Sequence, residues 1–330
     1  MIIGRWLLIE TLGRADTWSV LAVGTQPRAW KSFPRAVPGR LQPLVAEVHA
    51  SKAALDQTLP LSRLGWSGRR LHAVPVVGPG ENVHAVKLWV GDGDPPPEVG
   101  VAPFVSDAKT RRIESNTDGL GPDFETPRTH WAGAESFEMV ERFDGALDLM
   151  ALIAHSQPGT RWLGTATVRS TRGPRSLLMG TRNGDHVPDR QRWLGVAVDV
   201  TESVPPQRKS FEATTLDLLH GTQPNLYLAI VDTTQVRLIR WVTEPLPEVR
   251  WGCGTDERTV PHPADRTRIM AARKAILAGA PHESLTGVRL ATEHGGWIIS
   301  DLEISPLPGG TLGSTAPEFA LVQLNVGDRD

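Results

Sequence analysis

Arg70-Leu71-His72-Ala73-Val74-Pro75-Val76 runs into Gly78-Pro79-Gly80-Glu81-Asn82 and returns as Val83-His84-Ala85-Val86-Lys87-Leu88-Trp89-Val90. Two apolar runs around a Gly- and Asn-containing turn read as an antiparallel hairpin. Outward from it, the chain repeats the pattern. Ser176 to Arg182 and Arg192 to Val200 form a second such pair around a loop containing Asn183-Gly184. Trp297 to Ile304 and Phe319 to Val326 form a third, across a Pro- and Gly-rich loop.

Upstream of each hairpin lie two short strands. They are Trp6 to Glu10 with Trp18 to Ala22, Val101 to Ser106 with Arg111 to Glu114, and Leu226 to Val231 with Val236 to Trp241. Between the strands and the hairpin each piece carries helical periodicity. Leu41, Leu44, Val45 and Val48 supply it first. Phe137, Val140, Leu147, Met150 and Ala154 predict one helix in the second piece, with His155 at its end. In the third, Asp265 is the expected cap of a helix with Ile269, Ala272 and Ile276 on one face, ending at Gly279.

Asp94-Pro95-Pro96-Pro97 and Ser203-Val204-Pro205-Pro206 interrupt strands and helices alike and read as boundaries. The expectation is an α+β chain of three consecutive domains, 1–94, 98–203 and 207–330. Each is an antiparallel sheet that buries its own helices independently of the others.

Composition narrows the function classes. Of 330 residues 22% are charged, and the net charge is −2, so no strong field favours nucleic acid or an anionic membrane. Cys253 is the single cysteine, which excludes an intrachain disulfide and a multi-cysteine metal site. It is read as an ordinary loop residue. No apolar run reaches the ~20 residues of a membrane span, and the opening Met1-Ile2-Ile3-Gly4-Arg5 does not read as a signal peptide. A cytoplasmic protein is expected. Phosphate-binding loops, a dinucleotide fingerprint, the nucleophile elbow and His-Glu-x-x-His are all missing from the sequence, so a non-catalytic protein is expected.

Arg192-Trp193-Leu194-Gly195-Val196-Ala197-Val198-Asp199-Val200-Thr201-Glu202 resembles the last strand of PAS domains, a basic-Trp pair leading to Asp-Val-Thr-Glu. Val260-Pro261-His262-Pro263-Ala264-Asp265 looks like the His-Pro-x-Asp helix start of the same group. Gly287-Val288-Arg289-Leu290 before Gly295-Gly296-Trp297 looks like its Arg strand, Gly and Trp hairpin. The first piece is PAS-like or GAF-like. As a whole the chain is similar to an actinobacterial family of stand-alone triple sensor-domain proteins without an output domain.

That resemblance implies three PAS/GAF-like domains that bind a small molecule, a partner protein or both, and relay the signal in trans. An interaction scaffold without a ligand is the alternative. The candidate ligand-binding residues are Trp241, Trp251, His262, Arg289 and Trp297, each also readable as core, turn or strand-face residues. No cofactor, metal, oligomeric state or named partner is specified.

Overall fold

The structure is a computed structural model that describes residues 3–61, 65–154, 159–184, 192–223, 225–252, 255, 257–307 and 317–326. Cys253 and His155 lie outside the described residues, as does most of the loop that joins the two strands of the second hairpin and of the third. The fold is α+β with three antiparallel sheets. Among the described residues, no helix is long and apolar enough to cross a membrane.

The first sheet holds β1 (Leu7–Glu10), β2 (Ser19–Val23), β3 (Gln26–Ser32), β4 (Leu55–Thr58), β5 (Arg70–Val77) and β6 (Val83–Gly91), in the order β3-β2-β1-β6-β5-β4. Between β3 and β4 run the single turn α1 (Phe33–Ala36) and the longer α2 (Gln42–Ser51). The second sheet holds β7 (Val101–Asp107), β8 (Arg112–Ser115), β9 (His130–Ala132), β10 (Val140–Arg142), β11 (Arg161–Ser170), β12 (Gly173–Asn183) and β13 (Arg192–Asp199). Its order is β10-β11-β12-β13-β7-β8-β9, with α3 (Gly133–Ser136) and α4 (Ala146–Ala154) in the connections.

After α5 (Phe211–Thr222) come β14 (Leu226–Asp232), β15 (Arg237–Trp241), α6 (Pro263–Leu277), β16 (Glu283–Ala291), β17 (Trp297–Pro306) and β18 (Phe319–Val326). They form the third sheet in the order β15-β14-β18-β17-β16. In every sheet the first strand lies between the second and the last. No described strand bridges the proline-rich junctions.

Two expectations about helices are corrected. The stripe from Phe137 to Ala154 is not one helix. Val140 lies in β10, which pairs with β11 (Val140 opposite Val168), so ladder bonds replace helical ones there. Asp265 is not the cap of α6. His262 is, its Nδ1 accepting from the Ala264 backbone N–H at 3.2 Å ahead of Pro263. Proline at the first helical position leaves no orphan donor there.

The independence of the three pieces is also corrected. The chain divides into two compact units, one carrying most of the first two sheets, the other the third sheet with Trp131–Met139 and Ala146–Ala151. In the first unit, Ile9, Val20, Val45, Val48 and Leu88 form a core between the first sheet and its helices. The opposite face contributes Leu8, Leu21 and Ala85, which pack on Leu178, Val196 and Val198 of the second sheet. Each Leu or Val among them removed from water stabilises by about 1.5–3 kcal/mol. Gly180 on β12 permits the close approach, since a Cβ there would lie 2.7 Å from Leu21 Cδ1.

Between these sheets Glu10 is fully buried. The Leu12 N–H donates to its Oε2 at 3.1 Å, while Oε1 has no hydrogen-bond partner among the described residues. Desolvation raises its pKa from 4.5 to about 7, against the opposing pull of Arg182, the Leu12 and Ser19 hydrogen bonds and Arg161. Arg182 Nη1 also donates to Thr17 Oγ1 at 2.6 Å.

In the other unit, Asp265 pins α6 to the sheet. Its Oδ2 accepts from the Arg289 backbone N–H at 3.1 Å and from Arg289 Nε at 2.9 Å, and Arg268 approaches Oδ1 at 3.4 Å. The Arg289 hydrogen bond, foremost, holds the carboxyl down to about 2. Beside it the His262 N–H donates to the Arg289 carbonyl at 2.9 Å.

Two outcomes follow. Because folded Glu10 keeps a proton that the unfolded chain loses, stability of the first unit falls as pH rises from 4.5 through about 7, then levels. The full difference is about 3 kcal/mol. Glu10→Gln flattens that fall in urea denaturation series run from pH 5 to 8; an unchanged slope contradicts the assignment. Asp265→Ala destabilises the third-sheet unit by about 1–3 kcal/mol at neutral pH. The native pair's contribution, present above pH ~4, is lost as pH falls towards 2. Thermal unfolding of both proteins at pH 7 and pH 2.5 measures it.

Candidate functional site

In the third sheet, residues two apart share a face. Ala229 and Val231 of β14, Leu302 and Ile304 of β17, and Ala320, Val322 and Leu324 of β18 all turn to one side. Across from them α6 presents Ile269, Arg273 and Ile276, spaced four and three apart. A cavity of about 180 Å³ lies between these surfaces, and its wall is almost wholly apolar. Two larger hollows, about 670 Å³ and 580 Å³, mix polar and apolar surface comparably and lie by the Trp297 hairpin and by Trp6 and Pro96. Its apolar lining marks the first as the candidate binding site.

Few polar groups line the cavity. Asp232 closes a turn: its Oδ1 accepts from the Thr234 N–H at 2.6 Å and the Gln235 N–H at 3.3 Å. That turn delivers Val236 to the cavity wall at φ +52°, a left-handed conformation rare for a β-branched residue. Holding it costs about 1–3 kcal/mol. Arg273 donates from Nη2 to the Thr234 carbonyl at 3.1 Å, and its Nε to the Thr233 carbonyl. Arg250 donates to Thr259 Oγ1 at 3.0 Å.

Of the five residues singled out from sequence, Trp241 and Trp251 line this cavity, their rings edge to face with centroids 6.3 Å apart. The other three do not. His262 caps α6, and its ring meets Trp297 edge-on at 4.7 Å. Trp297 is 45% exposed and borders the hairpin hollow with Ile299. Arg289 is bound to Asp265. The alternating residues of β14, β17 and β18 were not singled out. Their period-2 pattern places them on one face, but nothing in it distinguishes a cavity wall from a filled core. Among the described residues, no group of three or more His, Cys, Asp or Glu is placed to hold a metal ion.

Comparison with known proteins adds the following. Residues 5–98 match a family model described as Rv3651-like, N-terminal, and residues 213–305 one described as Rv3651-like, C-terminal domain. A search of curated proteins found no match. Among solved structures, a crystal structure of a protein from Mycobacterium tuberculosis aligns at 19% identity, covering 98% of this chain and 97% of that one, with a TM-score of 0.74. An RNA-binding light-oxygen-voltage receptor aligns at 12% identity over 68% of this chain and 95% of its own, with a TM-score of 0.24. A methyl-accepting chemotaxis protein aligns at 12% over 69% and 75%, with a TM-score of 0.21. The last two likenesses are too low to carry an argument about fold or activity. The chain is thus similar at both of its ends to the Rv3651-like family, and it shares the fold of the mycobacterial protein over nearly its whole length.

Proposed function

We propose that this chain is a non-catalytic signalling protein of an actinobacterial family, built from three PAS/GAF-type sensor domains and acting in the cytoplasm. The cavity between α6 and the third sheet carries this reading, because it offers an apolar volume lined by few polar groups. The shared strand order supports a common sensor-type plan, since each sheet sets its first strand between its second and its last. A small molecule occupying the cavity shifts the chain between conformations only through different affinity for them. The signal is then read by another polypeptide.

A second reading, contact with a partner protein and no ligand, draws on α5. Phe211, Leu218 and Leu219 there are 82%, 69% and 49% exposed, more apolar surface than one helix in water needs. The two readings separate on ligand response.

A molecule that binds only the folded chain stabilises it by RT ln(1 + [L]/Kd), about 2.7 kcal/mol at a hundredfold excess over Kd. A panel of small apolar molecules is therefore expected to raise the unfolding midpoint by several degrees. Ala229→Leu, which places a larger side chain on the cavity wall, abolishes the shift. If no compound moves the midpoint of the native chain, the ligand reading falls and the partner reading stands.

A further inference from the structure

β15 carries an arginine whose charge has no counter-ion in the protein. In the ladder to β14, Ala229 opposes Trp241 and Val231 opposes Leu238, and all four line the cavity. Arg240 opposes Ile230, and neither of these lines it. Strand alternation puts this pair on the other face of the sheet. There Arg240 meets the Trp131–Met139 segment of the same unit, its Cζ lying 5.4 Å from the centre of the Phe137 ring.

Arg240 is half-buried, and desolvation holds its pKa below the usual arginine range. Its Nε donates to the Trp241 carbonyl at 3.2 Å. No carboxylate pairs with it among the described residues, whereas Arg268 and Arg289 share Asp265. Taking a guanidinium out of water without an opposite charge is unfavourable, and an aromatic face offsets only part of that cost. The end of the fork remains available. Nη1 and Nη2 have no acceptor in the protein, and neither is shielded from solvent. Two parallel N–H groups at that end match the two oxygens of a carboxylate or phosphate, and the partly desolvated surroundings strengthen the pairing.

We propose that Arg240 is an anion-binding residue, which takes a small oxyanion, carboxylate or phosphate, end-on through Nη1 and Nη2 while its guanidinium rests on the Phe137 ring. The Nε bond to Trp241 fixes the plane of the fork, so the anion meets a donor pair that is already oriented. This site goes beyond the apolar cavity. It lies on the opposite face of the sheet, and its test does not depend on what the cavity holds.

The ¹⁵N-labelled full chain is titrated with sodium phosphate and, separately, with sodium acetate, while sodium chloride keeps the ionic strength constant. The Arg240 Nε–H resonance is identified by its absence from Arg240→Lys. That resonance is expected to move and saturate, and the thermal midpoint of the native chain to rise by a few degrees over the same range. Arg240→Lys keeps the charge but lacks the fork, so it is expected to need about tenfold more anion for the same midpoint shift. A response to only one of the two anions supports the site and names its source. A resonance that stays in place or drifts without saturating overturns the assignment. So does an equal midpoint shift in Arg240→Lys. Should that variant not fold, Phe137→Leu identifies the resonance instead, through loss of the neighbouring ring current, and the native titration decides.

Discussion

An antiparallel sheet with apolar side chains on both faces needs cover on both, and the architecture follows from how that need is met. β1 and β2 are buried at every residue, so no face of either can meet water. Helices cover one side of the first sheet and the second sheet covers the other. Neither of these sheets has the option of standing alone without exposing Leu8, Leu21, Val196 and Val198. The third sheet is different. Along β17 exposed and buried residues alternate, with Ile298, Ser300, Leu302 and Ile304 inward and Ile299 outward, so one covered face suffices.

That covered face is where packing leaves room. Ala229 and Ala320 are short side chains on the adjoining central strands β14 and β18. α6 cannot collapse onto them, because its position is set at the other end. His262 and Asp265 tie its first turn to the backbone of Arg289, on the edge strand β16. A helix pinned at the edge and spaced by Ile269 and Ile276 spans the alanines and leaves a cavity over them. Close-packed interiors rarely keep such voids. The strained Val236 beside it shows that the surrounding turn, rather than local preference, dictates the wall.

Much of this organisation was legible in the sequence, for physical reasons that also mark where it stopped. The closing hairpins were readable because their apolar runs are long and their turns carry Gly and Asn; Arg70 to Val90 pairs as β5 and β6, from Arg70 opposite Gly91 to Val77 opposite Val83. The helix through Ile269, Ala272 and Ile276 was readable from its period. Phe137 to Ala154 misled, because a short strand between two turns of helix can mimic helical spacing. The meeting of the first two sheets had a signal: Leu7-Leu8-Ile9 and Val20-Leu21-Ala22 are continuous apolar runs, the mark of burial on both faces. Short runs of that kind do not say what supplies the second cover. The cavity was beyond reach for a related reason. Trp241 and Trp251 border it, but Trp297 and His262 meet edge to face instead, and only coordinates distinguish an indole beside a cavity from one beside a histidine.

The buried carboxyl of Glu10 ties the thermodynamics of the first unit to the solvent in a way its contacts do not show. Closing the sheets around a group that favours its protonated form captures hydrogen ions from the medium between about pH 4.5 and 7. The buffer must supply them, and gives up or absorbs its own ionisation heat in doing so. The calorimetric enthalpy of melting this unit will therefore differ between a buffer such as phosphate and one such as imidazole at the same pH and temperature, even where the free energy of folding is identical.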